Sequence, residues 1–137
     1  MCGGTGHGLG SPGRGGEGPA YAERVPNRVI ADLYAKNLEQ LGLEVKAASP
    51  ELGSSDVGNV GLKCPTVQAF IKCVPESIGT HTREFAEVAR SEAGMRAMSQ
   101  AAKSLAMTTI DLCYRPEAMA AATAEWRAWK AEQETTK

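Results

Sequence analysis

The sequence predicts an α/β fold made of short strands, one long helix and a terminal helix, and incomplete as a fold when taken alone. Three observations carry that reading. Thr66-Val67-Gln68-Ala69-Phe70-Ile71-Lys72-Cys73 alternates and is rich in β-favouring side chains, and Leu43-Glu44-Val45-Lys46 reads as a second short strand. From Ser91 to about Tyr114, apolar residues recur at helical spacing over a wide face. Two short strands do not make a sheet of ordinary size, and a long helix with a broad apolar face needs a larger layer to cover.

The elements follow in order. Residues 1–20 are expected to be a disordered, Gly-rich segment. Nine of the chain's 15 glycines fall there with almost no bulky apolar side chain, too little to offset the entropy of ordering. Gly3-Gly4-Thr5-Gly6-His7-Gly8 has neither a preceding strand nor a lysine, so it fails as a phosphate loop. Asn27 can cap a helix in which Val29, Ile30, Leu33, Tyr34, Leu38 and Leu41 recur, with Gly42 as its left-handed stop. Residues 47–59 read as a loop, and a short helix can start after Thr82. In the long helix, Met95, Met98, Ala102, Leu105, Ala106, Thr109, Ile110, Leu112 and Cys113 form the apolar face, and Met95, Met98, Met107 and Met119 read as core packing. Pro116 suits the first position of a last helix, on which Met119, Ala122, Trp126 and Trp129 share a side.

A net charge of -1 gives no reason to expect nucleic acid, and no apolar run is long enough to span a membrane. No secretory signal follows Met1. Cys2, Cys64, Cys73 and Cys113 form no C-x-x-C pair, which points to reduced thiols and a cytoplasmic location.

Two stretches could carry chemistry. Gly53-Ser54-Ser55-Asp56-Val57-Gly58-Asn59-Val60 offers hydroxyls, amides and Asn59 to a carboxylate or carbonyl, but such clusters are mostly turns. His81, in Gly79-Thr80-His81-Thr82-Arg83-Glu84-Phe85, is either a loop-borne metal ligand or a surface histidine beside a helix that Thr82 caps. One histidine is not a metal site, since catalytic zinc usually has three protein ligands.

Taken together, Pro26-Asn27 opening a helix that stops at Gly42, then GSSDVGNV, CPTVQAFIKC, GTHTREFAEVA and an alanine-rich helix resemble the carboxyl-terminal part of the aminoacylase/carboxypeptidase group of metallopeptidases, peptidase family M-twenty. Its amidohydrolase branch, with the aminobenzoyl-glutamate hydrolases and the basic-dipeptide hydrolases, is the nearest in appearance. The resemblance covers roughly residues 21–134. It implies that residues 21–26 leave a missing lid and dimerisation domain, and that 27–134 belong to a mixed-sheet, zinc-peptidase-like catalytic domain. It implies two zinc ions, or other divalent metals, activating a water with a glutamate as general base. By position, His81 matches the final metal ligand, and Gly53, Ser54, Ser55, Asp56 and Asn59 match a substrate-lining loop.

The rest of that machinery is absent from the sequence. His7 is followed by Gly8 and Leu9 rather than by the family's His-x-Asp pattern, and no Glu-Glu pair occurs, so no catalytic residue is expected in this chain. The expectation is a fragment of a metal-dependent amidohydrolase or dipeptidase, inactive alone. Its substrates would be N-acyl amino acids, aminobenzoyl-glutamate-like conjugates or dipeptides, and the complete enzyme would be a homodimer. The alternatives are a stand-alone, non-catalytic α/β interaction module, or a small enzyme that uses Asp56 and His81 as an acid–base pair.

Overall fold

The computed structural model describes residues 21–46, 55–75 and 77–135, and within them the protein is helical. The order is α1 (Arg28–Gln40), α2 (Val57–Gly61), α3 (Arg83–Ala89), α4 (Glu92–Tyr114) and α5 (Pro116–Thr135). The expected Gly-rich disorder of residues 1–20 lies outside the described residues.

The α/β expectation is overturned, because no strand occurs among the described residues. The reason is local at residues 43–46. Gly42 takes a positive φ of 75°, and the amides of Gly42 and Leu43 turn back to the carbonyls of Glu39 and Leu38, at 2.9 and 3.0 Å. This double closure ends α1 and uses the Leu43 N–H that a ladder would need. Residues 66–73 have strand composition but no neighbouring strand among the described residues. A β pattern describes a fit to a pleated surface, and without a second strand it produces no ladder.

The helices begin where side chains can cap them. Asn27 accepts from the Ile30 amide at 3.1 Å, Thr82 from Phe85 at 3.1 Å and Ser91 from Gly94 at 3.3 Å. Each supplies a partner to an otherwise unpaired amide of a first turn. Pro116 opens α5 as expected, so only Arg115 separates the two longest helices. The five-residue α2 falls mostly in a stretch that reads as loop, too short to leave a periodic signal.

α1 packs mainly on α4 and then on α5. The core is small: Leu33, Tyr34 and Leu38 of α1, Ala97 of α4 and Ala122 of α5 are its buried apolar residues among those described. Asn27, Asn37, Ser104 and Thr108 are buried with them. Ser104 donates to the Gln100 carbonyl and Thr108 to the Ser104 carbonyl, at 3.0 and 2.8 Å, which satisfies both hydroxyls within the helix. The face of α4 turned toward its neighbours is therefore made of Gly94, Ala97, Ser104 and Thr108, small residues that let another helix come close.

The expected apolar face of α4 is, apart from the half-buried Leu112, the outward one. Met95, Met98, Leu105 and Ile110 are each at least half exposed, and Ala102, Ala106, Thr109 and Cys113 beside them are exposed too. Met119 is also exposed, so of the four methionines expected in the core only Met107 is even half-buried. Periodicity finds the apolar stripe correctly but cannot say which neighbour it meets.

Polar bonds between distant residues fix the bundle. Asn37 Nδ2 donates to Thr108 Oγ1 at 3.1 Å and to Asp111 Oδ2 at 2.9 Å, tying α1 to α4. Asn27 Nδ2 donates to the Ala122 carbonyl at 2.9 Å, tying the start of α1 to α5. Glu125 completes that end: its two carboxylate oxygens accept from the amides of Arg28 and Val29 at 3.0 and 3.2 Å. A carboxylate there meets unpaired N–H groups and the positive end of the α1 dipole.

Candidate functional site

α2 carries the part of the expected substrate loop that is described. Gly53 and Ser54 lie outside the described residues. Ser55 accepts from the Val57 amide at 3.2 Å, a hydroxyl turn that leads into α2. Asp56 stands at the N-cap position without a capping bond from its side chain, and it is exposed.

Asn59 points the other way. Its Oδ1 accepts from the Ala22 amide at 2.8 Å. Gly58 lies against the same segment so tightly that a Cβ there would stand 2.0 Å from the Ala22 carbonyl oxygen. Trp126 Nε1 donates to the Gly61 carbonyl at 2.7 Å, holding the far end of α2 to α5. Arg24 is half-buried and donates from Nη1 to Gln68 Oε1. Asn59 and Gly58 thus hold α2 against residues 22–23, while Ser55 and Asp56 are left on the outer side of its first turn.

His81 precedes the cap of α3. Its φ is 65°, the only positive value among the described non-glycine residues. Histidine is among the few residues found there at all, and the conformation still costs energy. Thr82 maintains it from one side, since its hydroxyl accepts from the Phe85 amide and donates to the Gly79 carbonyl at 2.9 Å. The chain is thereby closed around Thr80 and His81, and the imidazole is exposed. α3 itself has no buried residue and contacts α4 alone among the helices.

Among the described residues, no hydrogen bond joins Asp56 to His81, so the two loops do not form an acid–base pair. Nor does any group of three or more His, Cys, Asp and Glu side chains among them come together in a way that could hold a metal ion. His81 could supply one ligand. A catalytic zinc needs about three, so the described residues do not fit a complete metal centre. Cys64, Cys73 and Cys113 are free thiols, and none belongs to such a group. No helix among the described residues is long and apolar enough to cross a membrane.

The anchors that position this region are not legible as functional residues in the sequence. Trp126 reads there as helix packing and Glu125 carries no signal of its own, yet they hold α2 and α1. Their signal exists only in three dimensions, across separations of 65 to 97 residues.

No family model matches the chain, and no solved structure matches it significantly. Two curated proteins are similar to it. Xaa-Arg dipeptidase of Mus musculus is 30% identical over 100 residues, which is 70% of this chain and 23% of that protein. Xaa-Arg dipeptidase of Homo sapiens is 30% identical over 101 residues, 71% of this chain and 23% of that protein. The chain therefore spans about a quarter of the length of these relatives, and over most of its own length it is related to a dipeptidase.

Proposed function

We propose that this chain contributes one part of a metal-dependent dipeptidase-like hydrolase, with His81 as a metal ligand and the turn bearing Ser55 and Asp56 near the substrate. The observation that carries the reading is His81 itself: an exposed imidazole held at positive φ by the Thr82–Gly79 bond, where glycine would sit without strain. Strain maintained by its surroundings is characteristic of functional positions. The similarity to Xaa-Arg dipeptidases supports the same assignment.

In this reading the substrate is a dipeptide or a related amide, extending to N-acyl amino acids and aminobenzoyl-glutamate-like conjugates. Bound zinc would lower the pKa of a water and polarise the amide carbonyl. The general base and the remaining ligands come from outside this chain, which is inactive alone, and the complete enzyme is a cytoplasmic homodimer. This chain's own residues hold and orient. Thr82 fixes the direction of His81, and Asn59 with Trp126 fixes the turn that bears Ser55 and Asp56.

The test is a chimera in which this chain replaces the hundred matched residues of the mouse Xaa-Arg dipeptidase. Hydrolysis of an Xaa-Arg dipeptide is expected, and His81→Ala is expected to remove most of it and to lower bound zinc. Turnover and zinc content unchanged by His81→Ala would overturn the assignment. The second reading is a non-catalytic interaction module, favoured by the open apolar stripe on α4. It predicts that unchanged outcome.

A further inference from the structure

α3 carries His81 just beyond its far end, yet it buries no residue, and among the helices it meets only α4. The two helices join at a corner, and two residues on the α4 side of it do most of the joining. Ser91 bonds in both directions. Its hydroxyl accepts from the Gly94 amide at 3.3 Å, which caps α4, and donates to the Val88 carbonyl at 2.6 Å, at the end of α3. The Ser91 amide donates to the same carbonyl at 3.0 Å.

Gly94 is buried, and the last turn of α3 lies directly on its backbone. A Cβ there would stand 2.2 Å from the Ala89 carbonyl oxygen and 2.5 Å from that of Val88. Both are main-chain atoms, so no change of rotamer makes room and one helix has to move. α4 is held along its length, with Ala97, Ser104 and Thr108 buried and Asn37 bonded to Thr108 and Asp111. α3 has no such hold, so α3 is the one that yields. Its seven residues make a lever of about 10 Å, and a rotation of about 10° at the corner moves the far end by roughly 2 Å.

We infer that Ser91 and Gly94 are positioning residues for His81: the absent side chain at 94 and the Ser91–Val88 bond together set where the imidazole stands relative to the bundle. The Thr82 turn fixes the local conformation of His81, and the corner fixes its place. What His81 does once placed rests on the proposed function; the geometry of the corner does not.

The first readout is a distance in the chain itself. Spin labels are set at Cys113, which is exposed on α4, and at Thr80→Cys, which is exposed beside His81, with Cys2, Cys64 and Cys73 replaced by serine. A narrow distribution of distances is expected by pulsed electron paramagnetic resonance. Gly94→Ala should displace it by about 2 Å or more while the helical circular dichroism and the unfolding midpoint stay level or rise, because alanine is the better helix former. Ser91→Asp still accepts from the Gly94 amide but has no proton for Val88, so it should broaden the distribution with α4 intact, and Ser91→Thr, which keeps both bonds, should restore it. Ser91→Asp also decides the matter where Gly94→Ala fails to fold.

The second readout is the chimera described above. There Gly94→Ala is expected to lower kcat about 100-fold with KM little changed, since a displacement of about 1 Å is enough for such a loss. Distances unchanged in both Gly94→Ala and Ser91→Asp overturn the inference. So does a Gly94→Ala chimera that keeps full turnover while His81→Ala abolishes it. A chimera indifferent to His81→Ala removes the proposed activity instead, and the distances alone then decide whether the corner places the arm.

Discussion

The α1/α4/α5 bundle and the His81 arm are held in opposite ways. In the bundle, Asn27, Asn37, Glu125 and Trp126 each make defined bonds to residues far away in sequence, and Leu33, Tyr34 and Leu38 of α1 are buried with small residues of α4 and α5. In the arm, the specific bonds are local: Thr82 reaches Gly79 and Phe85, and α3 buries nothing. One region is fixed by the fold, the other by its own turn. A histidine presented by a self-closing turn keeps its local geometry whatever surrounds it, but its position relative to other groups depends on what packs against the arm.

The largest effect expected from breaking this contrast is at Asn37. Asn37→Ala removes bonds to a buried hydroxyl and to a carboxylate, and should lower stability by about 2–3 kcal/mol. Urea unfolding followed by helical circular dichroism measures it. A change below about 0.5 kcal/mol would mean that the bundle does not depend on its polar ties.

His81→Gly should act in the other direction and less strongly. Relief of positive φ is partly offset by the greater freedom of glycine in the unfolded chain, leaving a gain of about 0.5 kcal/mol. The same unfolding curve reads it, and His81→Ala, which keeps the strain, is the control. A glycine variant less stable than the alanine one would show that the positive φ carries no strain.

The smallest effect belongs to Tyr34, whose hydroxyl burial pushes above the ordinary value of 10.0. The folded chain therefore releases this proton at higher pH than the unfolded chain does. Stability is unaffected below pH 10 and falls as pH rises past it, because ionisation favours the unfolded state first. Tyr34→Phe should change little at neutral pH and should flatten that decline. A pH profile with the same slope in both proteins would remove Tyr34 as its source.

The sequence makes the helices and their ends legible because capping is local. Asn27, Thr82, Ser91 and Pro116 stand within three residues of the amides they serve or spare. The α/β class is not legible in the same way, because strand identity depends on a partner, and residues 43–46 lose theirs to the closure of α1 at Gly42. The stripe of α4 is plain in the sequence and its direction is not, since spacing defines a face without naming its neighbour. His81 stands out by type and setting, but nothing in Gly79-Thr80-His81 announces the positive φ. Asn59 has the chemistry of a substrate grip and serves as a latch because Gly58, its neighbour, lets the chain at residue 22 come within bonding distance.

The bond from the Trp126 indole to the Gly61 carbonyl also gives the molecule an optical gauge. Indole emission shifts with the polarity around the ring, and this ring is half-buried, bonded to the end of α2 and faced by the Lys130 ammonium 5.1 Å from its centroid. Departure of α2 from the bundle would hand that N–H to water and redden the fluorescence. With Trp129 replaced by phenylalanine, a single chromophore would report, in real time, whether the turn bearing Ser55 and Asp56 is seated.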